Sequence, residues 1–368
     1  MLEQRGELLL GEHQVESLAI SAKNGQVALG SDGGVKLCAA SAEAITALSD
    51  DKNDLPAAEG DEAGAETQVV CFSPGGKVLA VGGSEGGTVG VYDFPSLKRF
   101  AKLDTGLKGV RCLALSTAGA SQLLAICGRD GSCSVWQVGF AEKEPTRVAT
   151  LSVPDAGAAK PEFRSVAFLE ACGSLVTGAN LTEGRGRKMK VQATLLRWSA
   201  RSWTVEASAR VLKGCGLTAM GLCSAADMVG IGGSDGSVGV FSATTLARVF
   251  TATPQSMAVT CVAIIPARGE GQAPQHASKE SKEGGPWAAH PPLLVSVFLN
   301  NVVLATPVVP MSLGERAREQ APLIVALLVL LSVPNAAASC QHRPYRRLTA
   351  AAVVVDTGWR SSLCFGDN

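Results

Sequence analysis

The sequence predicts an all-β chain folded as a β-propeller. A phrase made of an apolar strand, a turn rich in Gly and Asp, and a second strand occurs three times, at residues 81–92, 127–136 and 231–241. Each phrase follows another apolar strand, and six such strands begin near Leu18, Val70, Leu113, Val166, Met220 and Val262. Their spacing of about 42–54 residues fits the 40–45 residues of a four-stranded blade, with an insertion in the longer intervals.

The turn of each phrase has a local physical cause. Glycine supplies positive φ in a tight hairpin, and an acidic side chain can bond the turn backbone. We therefore predict that Asp130 and Asp235 are turn residues rather than catalytic acids. The glycines follow strands but open no helix, which disfavours a phosphate-binding loop.

One such unit cannot bury both faces of its sheet, so the units must close into a ring. We predict a seven-bladed design of the WD40 type over residues 1–320, in which about six blades are visible and the first blade is partly missing from this chain. The segment Glu7-Leu8-Leu9-Leu10 is either a closing strand or a remnant of another blade.

Insertions between the units differ in charge. Disordered insertions are predicted near residues 44–68 and 267–292. The first of them is acidic and contains Asp50, Asp51, Asp54, Glu59, Asp61, Glu62 and Glu66. Residues 137–161 form a polar stretch with prolines. A basic insertion with Arg185, Arg187, Lys188 and Lys190 is either a solvated loop or a site for the phosphates of lipid or nucleic acid.

Composition excludes several function classes. Lys+Arg and Asp+Glu both number 33, so net charge gives no argument for nucleic-acid binding. Eleven cysteines without a Cys-x-x-Cys pair are typical of reduced, buried thiols in a cytosolic domain. Four histidines, His13, His276, His290 and His342, lie far apart. We therefore predict no catalytic, cofactor-binding or metal residue. Asn180-Leu181-Thr182 matches the glycosylation pattern, which would go unused in a cytosolic blade.

The strongest hydrophobic segment follows the last unit. Residues 321–340 are uncharged, and about 20 apolar residues suffice to cross a membrane. We predict a transmembrane helix there, followed by a short tail at 341–368; the alternative is a buried strand or helix of the last blade. Met1 to Gln14 is charged and is no signal peptide, which favours a propeller facing the cytosol.

Taken together, these features resemble the prolactin regulatory element-binding protein family. The matching motifs are Val70-Cys71-Phe72, Ala80 to Gly86, Phe94-Pro95-Ser96-Leu97 and Cys127 to Trp136, in this order and ahead of a hydrophobic tail segment. The resemblance implies a guanine-nucleotide exchange factor for the small GTPase that initiates the COPII coat. It also implies a single-pass anchor in the endoplasmic-reticulum membrane, with the propeller in the cytosol.

The family uses a glycine-rich, potassium-binding loop in its first blade, and this chain departs from that pattern. Its nearest glycine cluster, Gly30-Ser31-Asp32-Gly33-Gly34, aligns with an ordinary blade hairpin. No catalytic residue is therefore carried over, and little exchange activity is expected of the chain as written. The alternative function is a WD40 protein-interaction scaffold without exchange activity. A nucleic-acid-linked regulator is disfavoured by the neutral net charge.

Overall fold

The structure is a computed structural model, and it describes most of the repeat region. The described residues are 3–8, 15–21, 25–32, 34–40, 45–47, 68–116, 122–139, 144–154, 156–157, 159–169, 173–184, 189–266, 291–300, 302–308, 329–330 and 350–354. Within them, the secondary structure is β-strand apart from one short 3-10 helix at Ser224–Ala226.

Six sheets, here called blades one to six, each contain four consecutive antiparallel strands. Blades one to three consist of β2 Val15–Ile20, β3 Gln26–Ser31, β4 Gly34–Ala40 and β5 Ile45–Ala47; β6 Gln68–Phe72, β7 Val78–Gly83, β8 Thr88–Asp93 and β9 Arg99–Asp104; and β10 Val110–Leu115, β11 Gln122–Gly128, β12 Cys133–Val138 and β13 Thr146–Leu151. Blades four to six consist of β14 Lys160–Leu169, β15 Ser174–Glu183, β16 Lys190–Ser199 and β17 Val205–Lys213; β18 Leu217–Cys223, β19 Met228–Gly233, β20 Val238–Ser242 and β21 Arg248–Ala252; and β22 Val259–Ile265, β23 Leu293–Phe298, β24 Val302–Pro307 and β25 Val329–Leu330.

The first strand of each blade lies at the inner edge and contacts the first strand of the next blade. This holds for β2 with β6, β6 with β10, β10 with β14, β14 with β18 and β18 with β22. The six apolar strands counted in the sequence are these inner strands, so the predicted blade spacing is confirmed. The resulting architecture is an all-β propeller with six described blades.

The core lies between the blades. Because side chains alternate along each strand, every sheet presents an apolar face to each neighbour. The interface between blades three and four is an example, where Ala125, Val135, Phe163, Leu196 and Trp198 pack in one cluster. Many of its members are Ala, Cys or Val, as expected from an apolar chain with few aromatic residues.

The two ends of the chain meet. Strand β1, Glu3–Leu8, pairs antiparallel with β26, Ala350–Val354. The seven-bladed design predicted from the sequence is not supported, because the described residues form six four-stranded sheets and this one two-stranded sheet. Strand β1, which precedes the first blade, thus pairs with β26, and neither strand belongs to any of the six four-stranded sheets.

Two intervals interpreted as insertions contain or adjoin strands of the blades. The polar stretch at 137–161 contains β13, whose side chains are mostly exposed because it is the outermost strand of blade three. Blade four is long because β14, β15 and β16 each have ten residues. Of the four basic residues in its insertion, Lys190 begins β16, and the other three lie outside the described residues. Both insertions predicted to be disordered, 44–68 and 267–292, fall mainly outside the described residues.

The predicted membrane helix at 321–340 also falls almost entirely outside the described residues. Its one described part is β25, Val329–Leu330, which pairs with β24 as the fourth strand of blade six. These two residues therefore form a strand of the last blade, which is the alternative given in the sequence analysis. No helix in the described part of the chain has the length and apolar character needed to cross a membrane.

Candidate functional site

One face of the ring collects most of the distinctive connections. In a meander of four antiparallel strands, the turn between strands two and three lies on the same side as the connection to the next blade. This side is called the upper face here. Among the described residues, it carries the turns of the three repeated glycine phrases.

A β-bulge near the upper end distinguishes five of the six inner strands. The register with the second strand shifts around one residue in each, namely Glu16, Arg111, Arg164, Thr218 and Thr260. A bulge residue departs from the alternation that buries its neighbours, and bulges commonly aim side chains at functional sites. Arg111, Arg164, Thr218 and Thr260 are accordingly exposed or half-buried.

Two of these bulge residues form an arginine cluster, defined here as Arg111, Glu162 and Arg164. Nη2 of Arg111 donates to Oε1 of Glu162 at 3.1 Å, across the gap between blades three and four. Nη2 of Arg164 lies 3.3 Å from Oε2 of the same carboxylate. The three side chains are 28%, 27% and 32% exposed in the order Arg111, Glu162, Arg164, so the cluster is partly desolvated but open to a partner.

The cluster has an excess of positive charge. Burial lowers the pKa of Arg111, and the neighbouring charge of Arg164 lowers it further, while Glu162 acts in the opposite direction. The guanidinium nevertheless remains charged at neutral pH. The Nε atoms of Arg111 and Arg164 are buried, and among the described residues they have no hydrogen-bond partner. One carboxylate therefore serves two arginines.

Backbone contacts hold the cluster in place. The amide of Phe163 donates to the carbonyl of Gly131 at 2.9 Å, which joins blade four to the turn of blade three. A Cβ atom on Gly131 would lie only 2.9 Å from Cγ of Glu162. Gly131 also has a φ of +86°, so glycine is required here for close approach as well as for the turn.

The carboxylates of the glycine phrases have a structural role, as predicted. Oδ1 of Asp130 accepts from the amide of Ser132 at 3.0 Å and from its hydroxyl at 2.6 Å. Asp235 and Ser237 repeat this arrangement in blade five. Burial alone would raise the pKa of both carboxyls, but the hydrogen bonds from the serines outweigh it and lower the pKa. These acids are therefore engaged in their own turns.

Most of the remaining candidates from the sequence lie outside the described residues. The four histidines lie outside the described residues, as do Arg185, Arg187 and Lys188. Among the described residues, no three His, Cys, Asp or Glu side chains are close enough to hold a metal ion. The cysteines in this part of the chain are in no disulfide bond, and five of them are buried. Hydrogen bonding to Cys133, and then burial, raises the pKa of the Cys127 thiol, so that thiol stays protonated and unreactive.

The residues present do not fit the potassium loop implied by the resemblance. Gly30 and Ser31 end β3 and Gly34 begins β4, so this glycine cluster is a hairpin. The Ser31 hydroxyl donates to the carbonyl of Gly34 at 3.0 Å. A Cβ on Gly30 would collide with the carbonyl oxygen of Gln68, so the chain itself fills the space beside Gly30.

Comparisons with known proteins agree with this architecture. Residues 101–137, from β9 through most of β12, match the family model described as "WD domain, G-beta repeat". A chain from the crystal structure of the mitotic checkpoint complex is similar at 18% identity, covering 79% of this chain and 73% of that chain with a TM-score of 0.53.

The computationally designed Ika8 protein is similar at 15% identity, covering 80% of this chain and 71% of that chain, but its TM-score of 0.49 carries no argument. No curated protein sequence matches this chain. At these identities the solved structures support the fold alone. The chain thus contains a WD40 repeat within a six-bladed propeller.

Proposed function

We propose that this protein is a protein-interaction scaffold that binds its partners on the upper face. The observation that carries the proposal is the arginine cluster, in which half-buried charged side chains from two blades converge at bulges of the inner strands. Arginine is enriched at protein interfaces and frequent among the residues that dominate binding energy.

The fold suits this role because it combines rigidity with variable connections. The inner strands are held by inter-blade packing and by contacts such as the one from Phe163 to Gly131. A side chain fixed on such a frame loses little further freedom when a partner binds, so more of the interaction energy appears as affinity. Binding residues commonly lie on loops that a rigid scaffold positions.

Site-specific photo-crosslinking in cells tests which face binds. A benzoylphenylalanine would replace the exposed residues Glu85 or Ser256 on the upper face, and Lys98 or Arg201 on the opposite face. We expect discrete crosslinked proteins from the upper-face positions and few from the controls, because only the upper face bears the arginine cluster. Crosslinks of equal yield from both faces, or from the opposite face alone, would contradict the proposal.

A second candidate is the exchange activity implied by the family resemblance, together with attachment to the endoplasmic-reticulum membrane. It is favoured by the order of motifs from Val70 to Trp136 and by the uncharged segment at 321–340. An exchange factor needs no covalent chemistry, only stronger binding to the nucleotide-free GTPase than to the nucleotide-bound form.

Release of a fluorescent GDP analogue from the purified COPII-initiating GTPase measures this activity. We expect weak acceleration by this chain, because the glycine cluster at Gly30 does not form the family's ion-binding loop. Strong acceleration would show that the loop is dispensable, whereas absence of binding would leave the scaffold function alone.

Carbonate extraction of cell membranes tests the anchor: recovery of the protein in the supernatant would exclude an integral membrane segment.

A further inference from the structure

We infer that the upper face of blades three and four binds a short acidic segment, rich in Asp and Glu, of a partner protein. This inference rests on the proposed scaffold function and names the chemistry of its partner. The site comprises the arginine cluster and three exposed cations around it, and is called the basic rim: Arg111, Glu162, Arg164, Lys108, Arg129 and Lys160.

Topology brings these cations together from four separate segments. Lys108 lies in the connection between β9 and β10, and Arg129 in the turn between β11 and β12. The amide of Arg129 donates to the carbonyl of Gly109 at 3.0 Å, which ties that turn to the connection. The charge of Arg129 is near enough to lower the pKa of Arg111, after burial and Arg164. Lys160 begins β14, two residues before Glu162.

The bonding pattern within the arginine cluster favours a carboxylate as ligand. Glu162 already bridges Arg111 and Arg164, taking one contact from each. Each guanidinium has five N–H donors and can bind a carboxylate in bidentate fashion, so both retain donor capacity that a single shared carboxylate does not use. An incoming Asp or Glu would thus find partly desolvated donors already oriented for this group.

The charge distribution of the upper face favours a short segment over a long polyanion. The chain is neutral overall, and the described turns of the neighbouring blades on this face expose Glu85 in blade two and Asp235 in blade five. A nucleic acid laid across the ring would meet these like charges. A segment of a few residues confined to the basic rim would meet its five cations, against the carboxylates of Glu162 and Asp130.

Fluorescence anisotropy with the full chain tests the inference. The probe is a fluorescein-labelled octapeptide of alternating Glu and Ser, compared with the same peptide carrying Gln for Glu. In low salt, we expect the acidic peptide to bind at least ten-fold more tightly than the neutral one. The double variant Arg111→Gln/Arg164→Gln should weaken binding of the acidic peptide ten-fold or more, while the matched variant Lys98→Gln/Arg201→Gln on the opposite face should stay within two-fold of the parent.

Replacing the bridging carboxylate should have the opposite effect on the affinity for the acidic peptide. Glu162→Gln removes the internal competitor for both arginines, so the acidic peptide should bind about three- to ten-fold more tightly. A gain of this kind cannot result from damage to the fold. If Arg111→Gln/Arg164→Gln does not fold, Lys108→Gln/Arg129→Gln replaces it, because both residues are exposed on connections; a loss of three-fold or more is expected.

Several results would overturn the inference. Equal binding of the acidic and neutral peptides would do so, as would unchanged binding by the rim variants or weaker binding by Glu162→Gln. Tighter binding of a single-stranded oligonucleotide of equal charge would assign the rim to nucleic acid instead. If the acidic peptide fails while crosslinks from Glu85 persist, the scaffold function stands and only this inference falls.

Discussion

Replacing Trp198 with alanine should lower the free energy of unfolding by about 3–5 kcal/mol, the range typical of removing a large aromatic side chain from a core. Trp198 is 3% exposed and packs within the cluster between blades three and four. Its Nε1 atom donates to the hydroxyl of the buried Thr177 at 2.9 Å. Urea unfolding followed by circular dichroism measures the change.

Two single variants separate packing from hydrogen bonding at this position. Trp198→Phe keeps much of the ring volume but removes the donor, so its cost should be about 1–3 kcal/mol. Thr177→Val removes the acceptor and leaves the indole N–H buried, with a similar expected cost. Because both act on one bond, the double variant should cost less than the two single costs added together. A loss below 1 kcal/mol for Trp198→Ala would show that this interface does not limit stability.

The interface around Trp198 also positions the candidate site. The ring of Trp198 lies 6.3 Å from that of Phe163, measured between centroids. Phe163 separates Glu162 from Arg164 in β14, and its own side chain is 2% exposed. The buried phenylalanine therefore anchors the segment whose two flanking residues are presented to solvent. Strand β14 therefore contributes both to the packing between the blades and to the position of the site on the upper face.

Much of the fold follows from local sequence patterns. The glycine phrases predict hairpins because positive φ at Gly131 and Gly236 and the acids before them satisfy a specific turn geometry. The apolar strands give the blade spacing because every blade must bury both faces. Sequence patterns were less informative for β13, whose exposed outer position leaves it polar. They also did not predict that β1 pairs with β26, because the two strands are far apart in sequence.

The candidate site was not predicted, and the reason is physical. Arg111 and Glu162 are 51 residues apart, and they meet only because two inner strands are neighbours in the ring. The sequence does contain a relevant pattern. Arg111 and Arg164 each occur two residues before the apolar residue that marks an inner strand, which is Leu113 or Val166. That position holds Glu or Thr in the three other bulged strands, so residue type alone does not mark it.

Replacing Asn180 with alanine should lower the free energy of unfolding by about 2–4 kcal/mol. Asn180 is 4% exposed in β15 and bonds the first residue of β18 in the next blade. Its Oδ1 atom accepts from the amide of Leu217 at 2.7 Å, and its Nδ2 atom donates to the Leu217 carbonyl at 3.1 Å. The variant deprives two buried backbone groups of this partner, at about 1–3 kcal/mol each. Urea unfolding again gives the measurement.

The same amide lies in the one segment that matches the glycosylation pattern, so the matched control is Thr182→Ala. It destroys the pattern but leaves Asn180 and both of its bonds to Leu217 intact. Because Thr182 is half-buried near the end of β15, we expect a change within about 0.5 kcal/mol, and no change in mass other than the substitution itself. Equal destabilisation by the two variants would contradict the bond between blades four and five. Loss of a glycan from Thr182→Ala would show that the amide is free to be modified, which its burial and its two bonds to Leu217 oppose.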